Sequence, residues 1–154
     1  SADKPGTMAV VPNTTPPSTE TAAAPAHEPP RILYLDDDDT LVFLVRRLLE
    51  RRGYRVNAFT AQADAIDAVR QNPGAFALLL TDFNMPGMSG LRLAREIKAL
   101  RPDLPVAIAS GFISEELRVQ APLAGVNDLI YKPDSVEALC SAIEHLLVRA
   151  PRSA

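Results

Sequence analysis

The chain has 154 residues, 47% of them hydrophobic and 23% charged, with a formal net charge of −3. That is the texture of one globular domain, and a net acidic chain offers no basic field for nucleic acid or an anionic membrane surface. One cysteine, Cys140, excludes an intrachain disulfide and a cysteine zinc cluster, and two distant histidines, His27 and His145, argue against a histidine-rich metal centre.

The first thirty residues hold Pro5, Pro12, Pro16, Pro17, Pro25, Pro29 and Pro30 among threonine, serine and alanine. So little apolar surface cannot balance the entropy of ordering, and residues 1–30 read as an extended linker. The chain opens on Ser1 without a secretory signal or a spanning apolar run, so a cytoplasmic module joined to something upstream is expected. From Arg31 the texture changes. Ile32 to Leu35 reads as a buried strand that ends in acids; Leu41, Leu44, Val45, Leu48 and Leu49 recur at helical spacing up to Gly53. Tyr54 to Phe59 is the second strand, and Ala61 to Gln71 a helix stopped by Asn72-Pro73-Gly74. Phe76 to Thr81, almost wholly apolar, is a strand covered on both faces.

Leu91, Ala94, Ile97 and Leu100 mark the third helix; Val106 to Ala109 is the fourth strand. Ser114 to about Ala121 forms a short helix ended by Pro122 and Gly125. Asp128 to Tyr131 is the fifth strand, and Val136, Leu139, Cys140, Ile143, Leu146 and Leu147 line the last helix, with Asp134 expected as its cap. Five strands alternating with five helices predict a single α/β domain over residues 31–150, a doubly wound parallel sheet, with 151–154 as a tail. Ligands of such sheets gather at the carboxyl ends of the strands.

Those ends are chemically distinctive. Asp36-Asp37-Asp38-Asp39 follows the first strand, Asp82 the third, Ser110-Gly111 the fourth and Lys132-Pro133 the fifth. Each has a plainer reading on its own: a solvated turn, a helix cap (Asp38 or Asp39), a loop hydroxyl, a surface charge. The acidic run is not an EF-hand loop, since Leu41 and Arg47 stand where glycine and the closing glutamate belong. Together the four ends converge on one rim, where clustered carboxylates require a proton or a cation between them. An all-oxygen set of few carboxylates suits Mg²⁺.

This arrangement closely resembles the receiver domain of two-component response regulators. The resemblance covers Arg31 to about Ala150, with 45 residues from Asp37 to Asp82, 28 from there to Ser110 and 22 more to Lys132. It implies a flavodoxin-like fold of strand order 2-1-3-4-5. It also implies that Asp82 accepts a phosphoryl group from a phosphohistidine on a histidine kinase or histidine phosphotransfer domain. Mg²⁺ would be held by Asp37, Asp82 and the backbone carbonyl of Asn84, with Asp36 acting through a metal-bound water. Lys132 and Ser110 would contact phosphoryl oxygens.

Several positions depart from the family's pattern. Leu129 stands where an aromatic couples to the hydroxyl residue, which leaves Tyr131 as a candidate substitute, and Phe112 is a candidate shield against water. The Ser110-Gly111-Phe112 run and the upstream linker suggest the C-terminal receiver of a hybrid sensor histidine kinase, a free-standing response regulator being the second reading. No DNA-binding output is expected on this chain, since four residues follow Ala150. A receiver-like binding module that needs no phosphate, and an aspartyl-phosphate hydrolase, are the other classes. The hydrolase is disfavoured because Asn84 stands where those enzymes place a second acid.

Overall fold

A computed structural model describes residues 28–149. Most of the segment read as a linker, with His27, and the tail lie outside the described residues. The elements are β1 (Arg31–Leu35), α1 (Asp39–Arg51), β2 (Arg55–Phe59), α2 (Gln62–Gln71), β3 (Leu78–Asp82), α3 (Gly90–Leu100), β4 (Val106–Ser110), α4 (Glu115–Leu123), β5 (Asp128–Tyr131) and α5 (Val136–Arg149), with one 3₁₀ turn, Pro73–Ala75, before β3. Every strand pairing is parallel, in the order β2-β1-β3-β4-β5. The chain therefore winds outward from β1 in both directions, which brings the carboxyl ends of β1, β3, β4 and β5 to one edge.

Alternation along the strands builds two cores. Leu33, Leu35, Leu79 and Ile108 face α2, α3 and α4, packing on Ile66, Ala94, Ile97 and Leu117. Ile32, Tyr34, Leu78 and Leu80 face α1 and α5, packing on Val45, Leu49, Cys140 and Ile143. All five residues of β3 are buried, as a central strand with helices on both sides requires. Cys140 is a small core residue, and His145 lies on the exposed face of α5.

Local rules set the element ends, with four departures from the sequence reading. Leu44 is 42% exposed although it fits the helical stripe; the buried line of α1 runs through Val45 and Leu49, one turn apart, and Leu44 falls about 100° to one side. The third strand starts at Leu78, because the Phe76 carbonyl is bound at 2.9 Å by the Arg101 guanidinium, which also holds the Pro73 carbonyl at 2.7 Å. Pro122 lies inside the last turn of α4, where the chain closes through Ala124 N–H donating to the Gln120 carbonyl. The cap of α5 is Ser135, whose Oγ accepts from the Ala138 N–H at 3.0 Å, and not Asp134. Both residue types cap well, so their order in the turn decided the choice.

Candidate functional site

Asp36 follows β1 directly and is 1% exposed. Its Oδ1 accepts the Asp38 N–H at 3.0 Å, while Oδ2 accepts the Lys132 ammonium at 2.6 Å and the Tyr34 hydroxyl at 3.2 Å. Asp38 in turn caps α1, its side chain accepting the Leu41 N–H at 3.1 Å. The acidic run is thus divided by role: Asp36 is buried, Asp38 ends the turn, and Asp37 is left exposed beside them. Asp82 closes β3, 8% exposed. One carboxylate oxygen from each of Asp36, Asp37 and Asp82 lies within 4.8 Å of the other two.

Lys132 follows β5, and its N–H donates to the Ser110 carbonyl at 2.9 Å, so the β4–β5 pairing carries both residues to the same rim. The Lys132 ammonium lies 2.6 Å from Asp36 and 3.4 Å from Asp82. The crowding expected to need a proton or an added cation is therefore relieved in part by the protein's own lysine. Burial raises the Asp82 carboxyl above its ordinary range, Asp36 adds to the rise, and Lys132 only partly opposes it. For Lys132 burial disfavours the ammonium, but the two carboxylates outweigh it and the group is shifted upward. Burial, reinforced by the Asp36 charge, likewise pushes the Tyr34 phenol well above its usual value.

Ser110 is 1% exposed, and its hydroxyl is engaged within its own loop. Oγ donates to the Phe112 carbonyl at 2.7 Å and accepts the Phe112 N–H at 3.3 Å, closing a tight turn around Gly111. Phe112 itself is 75% exposed, so in this conformation its ring covers nothing at the rim. Leu129 pairs with Ile108 and packs against the core between the sheet and α2–α4. Tyr131 pairs with Ser110 but is 60% exposed, so it does not fill the space beside the hydroxyl.

Asn84 is exposed in the loop between β3 and α3. That loop is shaped by two glycines. Gly87 has φ +86°. Gly90 opens α3 so close to β3 that a Cβ there would stand 3.1 Å from the Asp82 carbonyl oxygen and 3.2 Å from Phe83 Cα. The three aspartates supply hard oxygen ligands in one place, a donor set that fits a divalent cation.

Two contributors went unnoticed in the sequence. Tyr34 had a signal, since residues two apart on a strand share a face and Tyr34 stands two before Asp36. Gln62, whose Nε2 donates to the Pro86 and Met88 carbonyls at 2.9 and 2.8 Å, had none, because its partners lie 24 and 26 residues away.

A sheet of this order with three aspartates, a serine and a lysine along its carboxyl edge defines a doubly wound α/β module with a polar site at that edge. Residues 32–144 match the family described as "Response regulator receiver domain", and the chain belongs to that family, the phosphoacceptor modules of two-component signalling. It is 33% identical to the response regulator receiver protein CpdR of Brucella abortus over 78% of this chain and 98% of that one. Several other curated relatives are longer, and the chain spans between 20% and 31% of their length. Among solved structures it resembles a CheY-like receiver domain protein from Methanospirillum hungatei, with TM-score 0.70 and 28% identity over 79% of this chain and 96% of the other. A response regulator protein from Burkholderia pseudomallei, solved with a phosphorylated aspartic acid, calcium ion and citrate, gives TM-score 0.66 and 27% identity over 77% and 69% of the two chains. Family members bind Mg²⁺ at an acidic pocket and interact with histidine kinases or phosphotransfer proteins. No helix among the described residues is long and apolar enough to cross a membrane.

Proposed function

We propose that Asp82 is the phosphoacceptor of a His-to-Asp phosphorelay. The observation that carries this reading is the Asp82 carboxylate, buried at the end of β3 beside Asp36 and Asp37 and 3.4 Å from an ammonium. A carboxylate attacking a dianionic phosphoryl group needs charge neutralisation above all. Asp82 attacks the phosphorus of a partner phosphohistidine; the P–N bond breaks, its electrons leave with the imidazole, and an acyl phosphate forms.

Lys132 transfers part of its interaction from Asp36 to a phosphoryl oxygen, and the Tyr34 hydroxyl remains on Asp36 to keep that buried charge partnered. Ser110 gives up the Phe112 carbonyl and donates to a second phosphoryl oxygen, so the Gly111–Phe112 turn opens only in the phosphorylated state. Leu129 has no ring to follow it and Tyr131 stands outside, so the signal runs through that turn and not through an aromatic swing. The residues that would hold Mg²⁺ are Asp37, Asp82 and the Asn84 carbonyl, with Asp36 reaching it through water. Bound there, the ion supplies positive charge to neutralise the phosphoryl oxygens.

A free-standing or regulator-type setting is supported by the match to nearly all of CpdR. The hybrid-kinase setting has the Ser110-Gly111-Phe112 run in its favour, and the upstream reading frame separates the two. The chemistry is tested by intact-mass measurement after incubation with acetyl phosphate and Mg²⁺. One added phosphate is expected, absent in Asp82→Asn and with chelator. A parent chain that gains none, or an Asp82→Asn chain that still does, overturns the assignment.

A further inference from the structure

Gln62 opens α2, outside the acidic rim, yet its side chain reaches the loop that follows Asp82. A carboxamide nitrogen carries two hydrogens, and here one nitrogen serves two carbonyls of a single segment, Pro86 at 2.9 Å and Met88 at 2.8 Å. Gly87, with its φ of +86°, lies between those two acceptors. The far end of the loop is fixed separately: the Gly90 N–H donates to the Phe83 carbonyl at 3.2 Å, and the close approach at Gly90 presses α3 against β3. Asn84 lies between the Phe83 carbonyl, held by the Gly90 N–H, and the Pro86 carbonyl, held by Gln62.

We propose that Gln62 is a positioning residue for the divalent-cation site, holding the β3–α3 loop so that the Asn84 carbonyl is presented before the ion arrives. The proposal rests on the reading of that carbonyl as a ligand. Mg²⁺ demands near-ideal octahedral geometry, and a ligand on an untethered loop must be ordered at the moment of binding. The amide of Gln62 performs that ordering in advance, from the first residue of α2.

The test uses the whole chain and three variants. Gln62→Ala removes both donors, Gln62→Glu keeps the shape but sets an acceptor against two carbonyls, and Gln62→Lys keeps donors. Calorimetric titration with Mg²⁺ alone is paired with hydrogen exchange of the peptide covering 83–90 in metal-free buffer. In Gln62→Ala and Gln62→Glu, affinity is expected to fall roughly tenfold and exchange in 83–90 to quicken, with α5 peptides unchanged. Gln62→Lys is expected to stay within about threefold of the parent. Parental affinity and parental exchange in Gln62→Glu would overturn the role of Gln62 while leaving the acidic site standing. A parent chain without Mg²⁺ affinity overturns both.

Discussion

The Lys132 ammonium serves two carboxylates at once, and one of them, Asp36, is almost wholly out of water. Removing it leaves Asp36 with the Tyr34 hydroxyl and one backbone N–H. A buried charge that loses its partner costs about 3 kcal/mol. Lys132→Ala is therefore expected to lose about that much in urea unfolding, and saturating Mg²⁺ to restore part of it; a loss within error of zero would contradict the pairing. The acids, hydroxyl and lysine were legible in the sequence because each stands just after an apolar run that only a buried strand explains. The bond that joins them was not, since Lys132 and Asp36 are 96 residues apart. Its geometry depends on strand order, which local spacing does not encode.

Elements were read well where one physical rule dominated and less well where two competed. α3 follows its apolar period and is capped by Ser89, which accepts the Arg92 N–H. β3 lost two residues at its start because Arg101, 25 residues from Phe76, captures a carbonyl that a ladder would otherwise use. α4 is a conflict of a different kind. It has acids in its first turn and Ser114 as a cap, yet Pro122 removes an N–H from its last turn. Pro122→Ala restores that donor, so slower amide exchange across residues 118–124 is expected. Unchanged exchange there would mean that packing of Leu117 and Ala121, and not the missing donor, limits the helix.

For the whole molecule, the acidic rim is a stability liability that function retains. The Asp82 carboxyl is raised in the folded state, so as pH rises the unfolded chain releases this proton first. Ionisation therefore subtracts stability from the ordinary aspartate range, about pH 4, upward, and the penalty becomes constant above the folded value. Asp82→Asn removes it while Lys132 keeps Asp36. The variant is expected to melt higher than the parent at pH 7, by roughly 4 °C for each kcal/mol relieved, with the gap closing as pH falls through the raised folded value of Asp82 to about 4. Thermal melts across that range check the sign; a gap independent of pH would assign it to packing. Mg²⁺ should raise the parent's midpoint more than the variant's, by the equivalent of ~2.7 kcal/mol at one hundred times its dissociation constant.

The chain contains three tyrosines and no tryptophan. Among the described residues Tyr34 is the tyrosine hydrogen-bonded to the rim carboxylates, through the very oxygen that Lys132 shares. Any event that draws the ammonium off that oxygen changes the phenol's hydrogen bond and with it the wavelength of its absorbance band. Near-ultraviolet difference spectra should then follow occupancy of the rim in real time without a dye, and replacing Tyr34 by Phe should abolish the signal.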